Sequence, residues 1–152
     1  PFQTNASDQG AEEGIEKIVK FSEGKKMAIV AGAPVPYGGH LYNCSIVICD
    51  GAVKGIIPKI YLSQKERRIF SSGNDFISAG GNCEIRYAGF KCIISPDLQF
   101  KIGDAVFAVE TGEDLWAPVP PSFGQRRARM CAICWAPVWA AVHWHRSALW
   151  LC

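Results

Sequence analysis

Apolar residues recur along this chain with two different periods. Over residues 11–21 (AEEGIEKIVKF), Ala11, Ile15, Ile18 and Val19 share one stripe, Glu12 and Glu13 stand in the first turn, and Gly24 follows the end. That spacing predicts an amphipathic helix lying on a sheet. Residues 27–32 are apolar without alternation, as in a strand covered on both faces, and Pro34, Pro36 and Gly38-Gly39 predict a closing loop. Residues 41–48 and 52–57 read as strands joined by Asp50-Gly51, the dipeptide that most strongly signals a hairpin. Residues 63–70 are charged and predict one or two helical turns, with 71–75 as loop. Short strands are expected at 84–87, 91–95 and 98–102. Residues 105–109 (AVFAV) follow a Gly-Asp turn signal and predict a strand buried in the middle of a sheet. The buried strands 27–32, 45–49, 53–57 and 105–109 are expected to form one α/β layer with the helix packed on it.

Two strand ends carry chemistry. After residue 109 the chain turns polar through Glu110-Thr111-Gly112-Glu113-Asp114, and Trp116 and a proline-rich exit follow. A buried strand that ends in a sharp glycine turn with carboxylates is where α/β proteins set reactive groups, although an ordinary strand end has the same pattern. At the other end, Pro58 removes a ladder donor and restricts the residue before it, so pairing should stop there and Lys59 should project from the rim. A solvated lysine is the plainer alternative.

Composition narrows the class. A chain of 152 residues, 49% hydrophobic and 20% charged, has the material for one domain with a core. A net charge of +2 does not make a nucleic-acid surface. No run of 18 apolar residues and no signal-peptide pattern occurs, so no membrane span is expected and the chain reads as cytoplasmic. The seven cysteines are odd in number and Cys44, Cys49 and Cys92 sit in apolar runs, which argues against a disulfide framework.

The segments 41–62 (LYNCSIVICDGAVKGIIPKIYL) and 100–122 (FKIGDAVFAVETGEDLWAPVPPS), in this order and spacing, resemble the glutamine-hydrolysing domain of glutamine-dependent NAD synthetases, a branch of the nitrilase (carbon-nitrogen hydrolase) superfamily. The ending EDLW-x-P-x-PPS is specific to that branch, and the resemblance runs over about 11–122. It implies an α/β fold of the four-layer α-β-β-α sandwich type, here in part, and a hydrolase that attacks the amide carbon of glutamine with a cysteine. In that chemistry a glutamate serves as general base and acid while a lysine stabilises the oxyanion as ammonia leaves. Residue by residue, the family's Pro-Lys matches Pro58-Lys59, which gives Lys59 the oxyanion role. Its Cys-Glu-Asp-Leu-Trp matches Gly112-Glu113-Asp114-Leu115-Trp116, so Gly112 holds the nucleophile's position. Glu113 matches a residue that helps bind the substrate, and Glu66 matches an acidic residue that orients the lysine.

The departures are as informative. Glycine at 112 implies a catalytically dead copy, and the resemblance implies that the general-base glutamate lies upstream of residue 1, consistent with a fragment that opens without methionine. Only Ser63-Gln64-Lys65 separates Leu62 from Glu66, where the family has a longer stretch that helps line the glutamine pocket. No cofactor is implied for this domain. ATP and deamido-NAD belong to a synthetase domain, the partner in intact members, which are expected to form homo-oligomers.

Residues 1–122 are therefore read as a partial glutaminase domain and 123–152 as a divergent tail, out of frame or of low order. Four of five Trp, three of seven Cys and two of three His fall in those last thirty residues. Cys131-x2-Cys134 with His143-x-His145 offers zinc ligands, but the His spacing is one residue where three to five is usual, and no metal is expected. Another carbon-nitrogen hydrolase, such as an amidase, and a non-catalytic nitrilase-fold interaction module stand as alternatives.

Overall fold

A computed structural model describes residues 5–102, 105–121 and 130–134. Helix α1 spans Asn5–Ser22 and is followed by strands β1 (Ala28–Tyr37), β2 (His40–Cys49) and β3 (Ala52–Pro58). A single 3-10 turn at Glu66–Arg68 and a short helix α2 (Asn74–Ser78) lead to β4 (Cys83–Tyr87), β5 (Phe90–Ile94), β6 (Gln99–Ile102) and β7 (Ala105–Thr111). A second 3-10 turn, Gly112–Trp116, follows β7 directly, and β8 is Met130–Cys134.

The hairpin forms as its turn chemistry dictates. Asp50 (φ 46°) and Gly51 (φ 67°) both adopt positive φ, the dihedrals of a type I′ turn whose twist matches that of the flanking strands. Further along the same pair, Val47 faces Gly55 while Ile48 faces Val53, so Lys54 is an extra residue and the ladder bulges. The bulge resets the alternation of β3. Val53 and Ile56 thereby reach the same core although they stand three positions apart, an odd offset that regular alternation would send to opposite faces.

The strands form two sheets, a five-stranded one in the order β1-β2-β3-β5-β4 and a three-stranded one in the order β6-β7-β8. Ile15 and Val19 of α1 pack on one face of the larger sheet against residues such as Ala31, Ile46 and Ile56. The opposite face presents Ala28, Val47 and Ile57 to Phe107 and Val109 of β7, with Leu98 and Phe100 at the margin. A helix, a sheet and a second sheet are thus stacked. Full burial of each Ile or Val side chain in such a stack contributes about 1.5–3 kcal/mol.

Three expectations change. The strands 27–32, 45–49 and 53–57 share a sheet, but 105–109 lies in the second one and packs face to face on the first, so they do not make one layer. A continuous apolar run reports burial and carries no information on which sheet holds it. The loop expected at Pro34 and Pro36 is the second half of β1, because β1 is an edge strand and prolines at alternate positions there leave the ladder to β2 intact. Residues 63–70 hold one helical turn as expected, the 3-10 turn at Glu66–Arg68, but helix α2 starts at Asn74 within the expected loop. In the tail, Met130–Cys134 pairs in parallel with the second edge of β7. The rest of 123–152 lies outside the described residues.

Helix α1 begins six residues before the expected start, so Glu12 is not in its first turn. Its carboxylate instead accepts a hydrogen bond from Ala88 N at 2.6 Å and anchors the β4–β5 turn to the helix.

Candidate active site

Strands β3 and β7 belong to different sheets but end at the same place, and the chemistry-bearing residues meet there. Ser45 of β2 and Thr111 of β7 join across the sheets through a buried hydroxyl–hydroxyl hydrogen bond of 2.7 Å. Beyond Thr111 the chain turns at Gly112 with φ 57° and enters the 3-10 turn. A strand, a left-handed residue and a helical turn in succession make a sharp elbow that presents position 112 at the sheet's end.

Lys59 follows the last residue of β3 and is only 4% exposed. Its backbone is held from both sides, since its N–H donates to Asn43 O at 2.8 Å and its carbonyl accepts from Gly73 N at 2.8 Å. Its ammonium donates to Glu66 Oε1 (2.8 Å) and Oε2 (2.9 Å) and is ion-paired with Glu113. A Cβ placed on Gly112 would stand 3.0 Å from Lys59 Nζ and 3.5 Å from Cε. The structure therefore brings Lys59, Glu66, Gly112 and Glu113 together, from three separate stretches of chain.

Glu66 is fixed in turn by its own loop. Ser63 N donates to Glu66 Oε2 at 2.8 Å while Glu66 N donates to Ser63 Oγ at 3.3 Å, the reciprocal pattern of a capping box over S-x-x-E. Asn43 Nδ2 also donates to Glu66 Oε1 at 2.9 Å. Burial alone would raise the pKa of this carboxyl, but hydrogen bonds from Lys59 and Ser63 and the charge of Lys59 outweigh it and hold the group below its ordinary value. An ionised Glu66 beside Lys59 restrains the ammonium at one end, leaving its other side toward position 112.

Asp114, buried at 4% exposure, accepts from the backbone N–H groups of Ile60 and Tyr61. Burial dominates its titration and pushes its pKa up to about 6, against the pull of those two N–H groups and of Lys59, with Glu110 adding to the rise. Trp116 is 73% exposed, and Tyr61 donates its hydroxyl to Val119 O at 3.3 Å.

Among the described residues no group of three or more His, Cys, Asp or Glu side chains is gathered to hold a metal ion. The zinc arrangement considered for the tail turns on His143 and His145, which lie outside the described residues.

No protein-family model matches the chain. Among curated proteins it is 36% identical over 121 residues to the glutamine-dependent NAD(+) synthetase of Mycobacterium leprae (strain TN), an overlap that covers 75% of this chain and 17% of that protein. The chain is a relative of the glutamine-dependent NAD(+) synthetases. The synthetase of Mycobacterium tuberculosis (strain ATCC 25618 / H37Rv) is 34% identical over 118 residues, covering 73% of this chain and 17% of that protein. The chain thus spans about a sixth of the length of these synthetases.

Two solved synthetase structures share the fold. The Cytophaga hutchinsonii glutamine-dependent NAD(+) synthetase superposes with a TM-score of 0.57 at 24% identity, over 70% of this chain and 18% of that one. The Acinetobacter baumannii synthetase, solved with adenosine diphosphate, superposes with a TM-score of 0.56 at 20% identity, over 88% of this chain and 23% of that one. No helix among the described residues is long and apolar enough to cross a membrane.

Sequence reasoning missed three parts of this site. Asp114 stood beside Glu113 as one more carboxylate. Asn43, 1% exposed, reads as a polar interruption of β2, yet it binds Glu66 and Lys59, and its Oδ1 has no hydrogen-bond partner among the described residues. Gly73 reads as a loop glycine but lies directly against Pro58 and Lys59, where a Cβ would meet Pro58 O at 2.7 Å. A signal for Asp114 did exist. Pro58 ends the ladder, and a buried N–H just beyond it must find an acceptor elsewhere.

Proposed function

We propose that the chain is built as the glutamine-hydrolysing, nitrilase-type part of a glutamine-dependent NAD(+) synthetase, and that it binds glutamine without hydrolysing it. The observation that carries this reading is the approach of Lys59 Nζ to within 3.0 Å of the Cβ position of Gly112, with Glu113 on the same ammonium. In the family's chemistry a thiolate at that position attacks the amide carbon, and a fixed cation beside it stabilises the tetrahedral oxyanion. Lys59 has the charge and the restraint for the second task. Glycine has no atom for the first, and loss of a covalent nucleophile leaves only the small rate that positioning and oxyanion stabilisation supply.

In this reading Glu66 orients Lys59, Glu113 contacts the substrate, and residues 1–122 form the glutaminase part, with 123–152 a divergent tail. The stacked helix, sheet and sheet are three layers of a four-layer sandwich whose last helical layer completes in intact members. Ammonia production for deamido-NAD, the ATP-using synthetase domain, homo-oligomers and a cytoplasmic setting belong to those members.

The test is a glutamine titration followed by backbone amide NMR together with an ammonia assay. Glutamine is expected to shift the amides of Lys59, Gly112 and Glu113 while no ammonia forms. Ammonia release by the unmodified protein, surviving purification to homogeneity, would overturn the assignment of Gly112, and the absence of any shift at these residues would overturn the substrate site.

A further inference from the structure

The N–H groups immediately after Lys59 have lost their sheet. Strand β3 ends at Pro58, and Ile60 is buried, so its donor must be satisfied away from the ladder. Asp114 satisfies it from the other sheet's elbow. Oδ1 and Oδ2 each accept from Ile60 N at 3.2 Å, and Oδ1 accepts from Tyr61 N at 2.6 Å. Consecutive N–H groups directed at one acceptor make a small anion-holding concavity. Here a carboxylate from 54 residues away in the chain fills it.

This carboxylate closes the last side of a frame around Lys59. Asn43 O holds its N–H, Gly73 N holds its carbonyl, and Ser72 Oγ donates to Ile60 O at 2.7 Å. Of these bonds, only those to Asp114 run to the elbow that carries Gly112 and Glu113. We infer that Asp114 is a positioning residue: by tying Ile60 and Tyr61 to that elbow, its carboxyl sets where the Lys59 ammonium stands relative to position 112.

The role rests on the proposed reading of Lys59. The charged groups that face the carboxyl are Lys59 from the end of β3 and Glu110 from β7, with opposite influences on its titration. The ionised form is the better acceptor for two N–H groups, so protonation loosens the tie.

The experiment compares Lys59 labelling by an amine-acylating reagent in the whole chain, in Asp114→Ala and in Asp114→Asn, with exposed Lys91 as the reference in each sample. Asp114→Ala is expected to raise the Lys59/Lys91 ratio by about tenfold, which corresponds to ~1.4 kcal/mol of lost restraint. Asp114→Asn keeps an oxygen at the Oδ1 position and should stay within about threefold of wild type, as a retained neutral hydrogen bond implies. The wild-type ratio should rise as the pH falls from about 8 to about 5.5 while that of Asp114→Asn stays flat.

Val53→Ala serves as a control for general destabilisation, because it loosens the α1 side of the sheet without touching the tie; its ratio should remain at the wild-type value. An unchanged ratio in Asp114→Ala, or an equal rise in Val53→Ala, overturns the inference. The two readings fail separately: loss of the glutamine-induced shifts with this labelling pattern intact sinks the substrate site alone, and the converse sinks Asp114 alone.

Discussion

Replacing Gly73 by alanine sets two effects of opposite sign against each other. Gly73 has φ −58° and ψ −15°, a conformation alanine adopts without strain. Reduced freedom of the unfolded chain alone would therefore stabilise the variant by about 0.4–1 kcal/mol. Contact reverses the sign. The added Cβ would stand 2.7 Å from Pro58 O, 3.1 Å from Lys59 O and 3.2 Å from the Pro58 carbonyl carbon. All three are backbone atoms, and the segment that bears them is pinned by the bonds from Lys59 N to Asn43 O and from Gly73 N to Lys59 O, each 2.8 Å. Relief requires the main chain to move rather than a side chain to rotate. Forcing an extra carbon into a packed site costs roughly 1–3 kcal/mol, and weakening the bond from Gly73 to Lys59 costs up to about 1 kcal/mol more. The net expectation is a loss of ~2 kcal/mol after the entropic gain is set against these costs. Gly14, inside α1, is the internal comparison, because nothing lies within 4 Å of its Cβ position. Alanine there should gain roughly 0.5–1 kcal/mol. Urea unfolding followed by far-ultraviolet circular dichroism gives both values, provided the slope with denaturant is unchanged. A Gly73→Ala protein as stable as wild type would show that the close approach beneath Lys59 is not a constraint.

Further outcomes follow from the same geometry. The pKa of Asp114 rises from 3.8 to about 6 on folding, so between those values the folded state binds more protons and stability falls as the pH rises. About 3 kcal/mol should be lost by pH 7, and Asp114→Asn should abolish that slope in unfolding curves recorded across the range. Glu66 acts in the opposite sense: its lowered pKa contributes stability that is lost as the pH falls through its folded value, so Glu66→Gln should flatten the acid limb below the ordinary carboxylate range. Gly112→Ala places a side chain at φ 57° beside Lys59 and should cost about 1–2 kcal/mol in the same assay, while Ile56→Ala, fully buried between α1 and the sheet, should cost about 2–5 kcal/mol.

What the sequence made legible was what local chemistry decides. Asp50-Gly51 dictates its own turn, Pro58 ends its own strand, and the stripe of Ile15 and Val19 fixes the buried face of α1 whatever lies beneath it. The stacking of sheets was not legible in the same way. Ala108 and Val109 are buried on opposite faces of β7, and a run buried on both faces reads alike in the centre of one large sheet and in a small sheet stacked on another. The prolines of β1 misled for a related reason, since a proline ends a central strand but not an edge, and position in a sheet is a tertiary property.

The site shows where that distinction matters most. Lys59 and Glu113 are 54 residues apart, and neither carries a local signal that names the other. In a single layer their strand ends would have to be neighbours in one ladder to bring the side chains into contact. In two stacked sheets the ends need only overlie each other, and the elbow at Gly112 then folds the chain back across the rim toward Lys59. Ties such as Ser45–Thr111 and Ile60–Asp114 cross from one sheet's elements to the other's, so they fix the offset between the sheets as well as the local backbone. The candidate site is a product of that offset. Its precision resides in polar residues buried between layers, which hydropathy patterning registers only as interruptions of an apolar run.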